Sequence, residues 1–209
     1  MRIVAYGQEA TLVDQLEFQF TESLINDVRV ACHAAGASTN DIIGAARSFV
    51  VVHSTQDAAT VQRVLLDFFT RRGLSDDDAL PIGTTIEIPV RYDGADLDDV
   101  AHACGMSIDQ VIHLHSNNEY VVEFCGFAPG FAYLRGLPPQ LHLPRRASPR
   151  TQVPAGSVAI AAHYSAVYPN DSPGGWHLVG TTSLSVWDAN QNPPALLQPG
   201  TAVRFTVIS

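Results

Sequence analysis

Proline and glycine interrupt residues 126–176 so often that no long helix can form there. Eight of the thirteen prolines lie between Gly126 and Trp176, and each fixes φ and removes a backbone donor. From Tyr120 onward the apolar residues occur in short runs separated by these breakers: YVVEFCGF, SVAIAAH, AVY, WHLVG, SLSVWD and TAVRFTVI. Short strands at regular spacing, with turn residues between them, are typical of a small β-barrel or sandwich.

The chain before residue 73 follows a different pattern. Strands are predicted at residues 2–6, 11–13, 41–46 and 49–53, and helices from Thr21 to a glycine C-cap at Gly36 and from an Asp57 cap to about Arg71. Strands on either side of helices indicate a small α/β sandwich of the split βαβ type. The acidic stretch GLSDDDALPIG at 73–83 reads as a linker. The predicted fold class is therefore α+β, with domains 1–78 and 79–209.

Three local signals open the second domain. A strand is predicted over Thr84–Tyr92, placed at an edge or bulge by its proline. Asp96 is predicted to cap the helix DLDDVAHACG. Ser107 and Gln110 form a capping-box signature for the next helix, SIDQVIHLHS.

Charge and composition exclude several classes of protein. The chain has a net charge of −9, which argues against nonspecific nucleic-acid binding. Its N-terminus shows no signal peptide, no segment is long and apolar enough to span a bilayer, and no polybasic anchor is present. Three widely spaced cysteines suit a reducing compartment better than a disulfide framework. We therefore expect a cytoplasmic protein without nucleic-acid or membrane partners.

All twelve basic residues are arginines, because the chain contains no lysine. This excludes a lysine Schiff base, a pyridoxal site, a Walker A lysine and a lysine-linked biotin on this chain. The segment 126–176 contains four arginines and one acid, Asp171. It therefore carries a charge of about +3, and the rest of the chain carries about −12. Any bound phosphate or carboxylate must be held by arginine, backbone N–H groups or helix N-termini.

Several unusual strings occur together after residue 125: GFAPGFAYL, PRRASPRTQVPAGSVAI, YPNDSPGGWHLVG and LLQPGTAVRF. With them the chain resembles the family of the 5-oxoprolinase B subunit, also labelled allophanate hydrolase subunit 1, which includes the sporulation-kinase inhibitor KipI. The resemblance implies a cyclophilin-like β-barrel after the small α/β domain. It is looser before the linker, where GQEATLV replaces a Gly-Asp-centred opening and Ala45-Ala46-Arg47 replaces Pro-Ala-Tyr.

The resemblance implies ATP-dependent opening of the lactam of 5-oxoproline to glutamate. The expected partners are 5-oxoprolinase subunits C and A, with ATP and Mg²⁺ acting at the level of the complex, a small amide as substrate and no covalent cofactor on this chain. The chain alone is expected to be inactive. Two alternatives stay open: a regulatory protein that inhibits a sensor histidine kinase, and a subunit of a urea- or allophanate-type amide hydrolase or carboxylase. Peptidyl-prolyl isomerase activity follows from barrel type alone, which is a poor guide to function.

Site residues are predicted mainly from the segment 126–176. Arg145 and Arg150 match family positions and are the predicted anion ligands, in preference to Arg146, because guanidinium groups form paired charge-assisted hydrogen bonds. A surface role or a salt bridge is the alternative for all three. The other predicted substrate-binding residues are Phe127, Pro129, Phe131, Gly156, Ser157, Tyr168 and Trp176.

His115 is the one predicted catalytic residue. It matches a family histidine and precedes Glu119 and Glu123, and a histidine with a carboxylate is a common acid/base pair near neutral pH. The alternative is a histidine at a helix end that hydrogen-bonds to backbone. His113 and His115 lack the i, i+4 spacing of a helical metal pair, and no C-x-x-C is present, so no metal site is predicted.

Overall fold

A computed structural model of the chain describes residues 1–16, 22–72 and 85–208. The chain divides into two compact units, Met1–Pro81 and Ile82–Ser209. The predicted linker at 73–83, with its boundary between residues 78 and 79, lies outside the described residues. Among the helices that the structure describes, none is long and apolar enough to cross a membrane.

In the part of the first unit that the structure describes, four strands and two α-helices surround a core of their own. In chain order they are β1 (Arg2–Ala5), β2 (Ala10–Asp14), α1 (Glu22–Ala34), β3 (Thr39–Ala45), β4 (Ser48–His53) and α2 (Ala58–Arg72). The strands form an antiparallel sheet in the order β1–β2–β4–β3. Because β4 lies between β2 and β3, the β2–α1–β3 segment is a split βαβ unit, as the sequence predicts.

One helix signal in the first unit is wrong. Asp57 does not cap α2 but ends a short 3₁₀ turn, Thr55–Asp57, that precedes it. Its carboxylate accepts hydrogen bonds from the Ser54 hydroxyl at 2.9 Å and from the Ser38 backbone N–H at 3.3 Å. The carboxylate therefore joins the start of the turn to the loop before β3.

Within the described residues the second unit contains nine strands, two α-helices and a short 3₁₀ helix, Pro139–Leu141. The strands and α-helices are β5 (Ile86–Val90), α3 (Leu97–Cys104), α4 (Ile108–Ser116), β6 (Tyr120–Cys125), β7 (Ala132–Arg135), β8 (Arg150–Val153), β9 (Ser157–Ala161), β10 (Tyr164–Val167), β11 (Ser172–Gly174), β12 (His177–Thr181) and β13 (Ala202–Val207). Seven strands form a sheet in the order β12–β9–β10–β7–β6–β13–β5, and β8 and β11 form a separate pair. The predicted α+β class, an α/β sandwich followed by a barrel-like sheet, is confirmed.

Arg91, just after β5, joins the two ends of the seven-stranded sheet. Its N–H and C=O pair with Thr181 of β12 at 2.9 and 2.8 Å. This contact makes the sheet a nearly closed barrel. The segment SLSVWD, predicted as a strand, carries only an isolated bridge between Trp187 and Ala195. Because β12 already pairs with β9 and with Arg91, it has no free side for a further strand.

Alternation along the strands separates the barrel interior from its outer face. On β10, Val167 belongs to the interior core, whereas Tyr164 and Ala166 are buried outside that core. On β7, Leu134 is interior, and Tyr133 points the other way. The outer face of β6, β7 and β10 thus carries buried Tyr164 and Ala166 and half-buried aromatic rings, with the charged Glu123 and Arg135 beside Tyr164. These residues form a second packed layer outside the barrel.

Local capping explains the two helices of this unit. Gly105 ends α3 in the left-handed conformation, with φ at 66°. Ser107 and Gln110 form the predicted capping box at the start of α4. Asp96 occupies the N-cap position of α3, but its side chain makes no capping hydrogen bond. That carboxylate instead takes part in a cluster with two arginines.

Candidate functional site

Phe131 lies at the centre of an aromatic cluster on the outer face of the barrel. Its ring centroid is 5.2 Å from that of Phe127, 5.3 Å from Tyr168 and 5.5 Å from Trp176, in each case edge to face. Tyr133 is 5.1 Å away and links the cluster to β7. Edge-to-face pairs at these distances are favourable beyond the area they bury. The cluster therefore brings together four of the predicted substrate-binding residues.

The same layer continues across three strands. Phe124 of β6 stacks on Tyr133 at 4.2 Å, and Tyr164 of β10 contacts both rings edge-on. Burial and a hydrogen bond to the Glu123 carboxylate raise the pKa of Tyr164. We call this surface the aromatic face, and its members are Phe124, Phe127, Phe131, Tyr133, Tyr164, Tyr168 and Trp176.

The turn between β6 and β7 holds one ring of the aromatic face in solvent. Phe127 is 61 % exposed, and its φ of 74° is unusual for a bulky residue. Pro129 in the same turn is also exposed. Sparsely populated backbone conformations persist where the surrounding structure imposes them, often at functional sites.

Arg145 supplies an available positive charge beside this face. Its guanidinium carbon lies 6.0 Å from the centroid of the Trp176 ring, within the range of a cation–π contact. The side chain is exposed and makes no hydrogen bond or ion pair to the residues that the structure describes. Burial raises the pKa of Tyr168, while a hydrogen bond from the Trp176 backbone N–H and the charge of Arg145 oppose that rise. Arg145 therefore lies close to the Tyr168 hydroxyl as well.

Arg150 and Arg146 bind a buried carboxylate. Two nitrogens of Arg150 contact the Asp96 oxygens at 2.7 and 2.8 Å, and Arg146 Nη1 contacts Oδ1 at 2.5 Å. The Leu178 N–H donates to Oδ2 at 2.8 Å. Burial disfavours ionisation of Asp96, but these hydrogen bonds and the charges of both arginines outweigh it and hold its pKa below the usual range. The terminal guanidinium nitrogens of Arg146 and Arg150 thus already bind a protein carboxylate, whereas those of Arg145 bind none within the described residues.

His115 lies in the barrel interior and not at the aromatic face. It has no exposed surface; its Nδ1 is 2.7 Å from the Tyr92 hydroxyl, and its Nε2 is 2.8 Å from the Ser165 hydroxyl. Burial lowers its pKa to about 3. Glu119 pairs instead with Arg204 at 2.8 Å. The predicted catalytic role of His115 stays a prediction, and this geometry argues for a structural role.

Gly156 and Ser157 hold Tyr168 of the aromatic face through backbone hydrogen bonds. The Gly156 N–H donates to the Tyr168 carbonyl at 2.8 Å, and the Tyr168 N–H donates to the Ser157 carbonyl at 2.9 Å. The Ser157 hydroxyl donates to the Pro154 carbonyl at 2.7 Å and is buried. These contacts fix the position of Tyr168 and leave the serine no free path to a ligand.

The structure brings some predicted residues together and separates others. Phe127, Phe131, Tyr168, Trp176 and Arg145 share the aromatic face; Pro129 lies in its turn, Arg150 lies beside it, and His115 lies in the interior. Sequence reasoning gave Asp96 only a helix-capping role and gave Tyr164 none, whereas it named Tyr133 as a possible wall residue and Glu123 as a possible partner of His115. The sequence signal for Asp96 is the group of arginines at 145–150, which has no acid close to it in the sequence. Partly buried arginines need a carboxylate, so one from a distant part of the chain was to be expected.

The aromatic face is exposed at its edge and buried at its centre: Phe127 is 61 % exposed, whereas Phe131, Tyr168 and Trp176 are buried. A groove of about 410 Å³ in the same unit lies elsewhere, lined by Met106, Asp109, Gln110, His113, Leu114 and Gln140. Within the described residues, no group of three or more His, Cys, Asp or Glu side chains could hold a metal ion. A packed aromatic layer with one exposed ring and one free cation at its edge can orient a small anion, but it needs a second surface to exclude water.

A split βαβ unit together with a nearly closed barrel-like sheet defines the class of carboxyltransferase-like domains. The chain belongs to the family described as "Carboxyltransferase domain, subdomain C and D", whose sequence profile matches residues 1–197. The family resemblance carried by the motifs is thereby confirmed.

Two curated relatives are each named as the B subunit of 5-oxoprolinase. The chain is 55 % identical to the protein from Escherichia coli O157:H7 over 139 residues, which cover 65 % of this chain and 64 % of the relative. It is 47 % identical to the protein from Bacillus subtilis (strain 168) over 127 residues, or 59 % of this chain and 53 % of the relative. The chain therefore matches less than two thirds of the length of these relatives.

Two solved structures show the same fold. The crystal structure of TTHA0988 superposes with a TM-score of 0.74 at 33 % identity, covering 96 % of this chain and 40 % of that one. The Kluyveromyces lactis urea amidolyase superposes with a TM-score of 0.78 at 18 % identity, covering 99 % of this chain and 15 % of that one. At this lower identity the similarity is one of fold alone.

Proposed function

We propose that the chain is a subunit of an ATP-dependent 5-oxoprolinase and contributes the aromatic face to an active site shared with other subunits. The observation that carries the proposal is the free guanidinium of Arg145 above Trp176, in a chain whose curated relatives are named as the B subunit of 5-oxoprolinase. 5-Oxoproline combines a flat lactam ring with a carboxylate. An aromatic wall beside one unpaired arginine is complementary to both parts.

The reaction converts 5-oxoproline, ATP and water to glutamate, ADP and phosphate. A five-membered amide is a poor electrophile, so hydrolysis must be coupled to ATP, which phosphorylates the amide oxygen and makes it a leaving group. One water adds to the activated ring carbon, and the C–N bond breaks to release the amine and leave an acyl phosphate. A second water then displaces phosphate from this acyl phosphate to give glutamate. Within this scheme Arg145 holds the substrate carboxylate, and the exposed ring of Phe127 shields the lactam ring from bulk water.

We assign ATP and Mg²⁺ to the complex as a whole. The chain has no lysine and so lacks the Walker A lysine of a P-loop. The expected partners are subunits C and A of the same enzyme. The exposed edge of the aromatic face, with Phe127 and Arg145, needs a partner surface to complete a site, which explains why the isolated chain is expected to be inactive.

Reconstitution tests this function. The chain is mixed with subunits C and A from the same genome, and glutamate release from 5-oxoproline is measured with and without ATP. We expect activity only when all three proteins and ATP are present. Folding of each protein is checked by circular dichroism, so an inactive mixture of folded proteins contradicts the proposal. Glutamate release at an equal rate without this chain contradicts it as well.

The same mixture distinguishes the alternatives. Urea and allophanate are supplied in place of 5-oxoproline, and ammonia release is measured. Turnover of either one, with none of 5-oxoproline, assigns the chain to another amide-processing enzyme. Inhibition of histidine-kinase autophosphorylation by the chain alone supports the regulatory alternative.

A further inference from the structure

We propose that Asp96 is a positioning residue that fixes Arg145 over Trp176, and that Arg145 gives the aromatic face its specificity for small carboxylates. Asp96 does not touch the aromatic face itself. It acts through Arg146 and Arg150, which lie one and five residues after Arg145 in the sequence. The identity of the ligand rests on the proposed function, whereas the positioning role can be tested on the isolated chain.

The Asp96 carboxylate is fixed on every side. It is 1 % exposed and accepts hydrogen bonds from Arg146, from two nitrogens of Arg150 and from the Leu178 N–H. Its own backbone N–H donates to the Leu178 carbonyl at 3.0 Å. The carboxylate is therefore anchored to β12, and whatever binds to it is held against the barrel.

This anchoring determines where Arg145 can lie. Arg146 reaches Asp96 with its side chain, and its backbone N–H donates to the Gly175 carbonyl at 2.8 Å. Gly175 immediately precedes Trp176, so the segment with the arginines is tied to the residue before the ring. Arg145, next in the chain to Arg146, points to Trp176 and not to Asp96. Arg146 thus anchors the segment to Asp96, whereas the neighbouring Arg145 lies over the Trp176 ring.

Charge explains why Asp96 is needed. Arg146 and Arg150 share this one buried carboxylate, and the more distant acid Asp99 is 3.9 Å from Arg146 and 74 % exposed. Without the Asp96 charge, two guanidinium groups would face each other across a partly buried space with little compensation. The segment from Arg145 to Arg150 would then open towards solvent. Arg145 would leave Trp176.

The same arrangement leaves a net positive charge beside the aromatic face. Asp96 and the more distant, exposed Asp99 balance at most the charges of Arg146 and Arg150, and Arg145 adds a third positive charge in a protein of net charge −9. A guanidinium with no protein partner can pair with a carboxylate through two hydrogen bonds. The geometry therefore selects ligands with a carboxylate over neutral amides of the same shape.

Trypsin tests the positioning role on the isolated, full-length chain. Asp96→Asn keeps the side-chain shape and the acceptor for Leu178 but removes the charge. We expect trypsin to cleave after Arg145 and Arg146 at least about tenfold faster than in the wild type, because local opening controls such cleavage. Cleavage after Arg91 and Arg204 serves as an internal control and should not change.

Tryptophan fluorescence provides a second reading. The chain has two tryptophans, so Trp187→Phe leaves Trp176 as the only reporter. In this background Asp96→Asn should shift the Trp176 emission in the same direction as Arg145→Gln, and the double variant should show no additional shift. A general loss of stability in Asp96→Asn would not produce the same shift in Trp176 emission as Arg145→Gln.

The matched control is Asp99→Asn, which removes the same charge three residues away on the exposed side of the cluster. It should leave both cleavage and fluorescence unchanged. If Asp96→Asn is too unstable to study, Arg150→Gln loosens the same segment and should give the same two changes. Wild-type cleavage and emission in folded Asp96→Asn protein would overturn the positioning role.

Kinetics of the reconstituted complex test the ligand. Asp96→Asn should raise KM for 5-oxoproline at least about tenfold and change kcat much less, because a displaced Arg145 weakens binding of a group that does not react. Asp99→Asn should leave both constants unchanged. If the complex is inactive, the proposed function fails while the trypsin and fluorescence results still decide the role of Asp96. An unchanged KM beside altered cleavage would show that Arg145 does not bind the substrate.

Discussion

His115 is a buried neutral imidazole whose two nitrogens both have side-chain partners. Its pKa is about 3 in the folded chain and about 6.5 when unfolded. The unfolded state therefore binds the proton more readily. Stability from this residue is complete above pH 6.5 and is lost progressively as the pH falls towards 3.

Urea unfolding between pH 6.5 and 4.5 measures this loss. His115→Gln keeps a donor and an acceptor but does not titrate, so we expect the wild type to lose about 2 kcal/mol more than the variant over this range. Equal pH dependence of the two unfolding free energies would show that His115 is protonated in the folded protein.

Asp96 shows how far local sequence describes a single residue. Its position before an apolar helix predicts an N-cap, and the N-cap position is observed. The side chain, however, binds arginines 50 and 54 residues further along the chain. Local propensity cannot report such a contact, because it depends on how the barrel closes. The sequence does identify the aromatic residues of GFAPGFAYL and YPNDSPGGW as one group of candidate site residues. These two strings combine aromatic residues with proline and glycine in a way that the rest of the chain does not.

At the scale of elements, closure of the barrel depends on close backbone approach between Arg91 and β12. A Cβ at Gly180 would lie 2.5 Å from the Arg91 carbonyl oxygen and 2.8 Å from a Val90 methyl group. Backbone at this position cannot move without breaking the Arg91–Thr181 pair. We expect Gly180→Ala to lower the free energy of unfolding by at least about 2 kcal/mol.

Gly175→Ala is the control for this substitution. Its new Cβ would meet nothing closer than 3.7 Å, so we expect stability within about 0.5 kcal/mol of the wild type. Chemical denaturation of both variants makes the comparison. A Gly180→Ala protein as stable as the Gly175→Ala protein would contradict the account of closure.

Most elements follow from sequence, because their signals are local. The capping box at Ser107 and the stop at Gly105 place α3 and α4 correctly. Apolar runs place β6, β9 and β13. The same reasoning fails for SLSVWD, because strand formation requires a free partner edge and β12 has none left. Pairing order, including the parallel pair β5–β13, is likewise a property of the whole sheet.

At the scale of the whole molecule, each unit has its own apolar core. One core centres on Phe49 and Leu65, and the other on Val122 and Phe205. We therefore predict that a fragment of residues 82–209 folds alone, with a single cooperative urea transition. Circular dichroism and tryptophan emission should report the same midpoint. A fragment without a cooperative transition would show that the second core depends on the first unit.

The central claim is that the aromatic face forms part of a shared active site in which Arg145 holds the substrate carboxylate. The most direct test is kcat/KM for 5-oxoproline in the reconstituted complex carrying Arg145→Gln. We predict a loss of at least about tenfold, a change of about 1.4 kcal/mol, while inhibition by 2-pyrrolidinone, which lacks the carboxylate, stays as in the wild type. Unchanged kcat/KM in a correctly folded complex would contradict the claim.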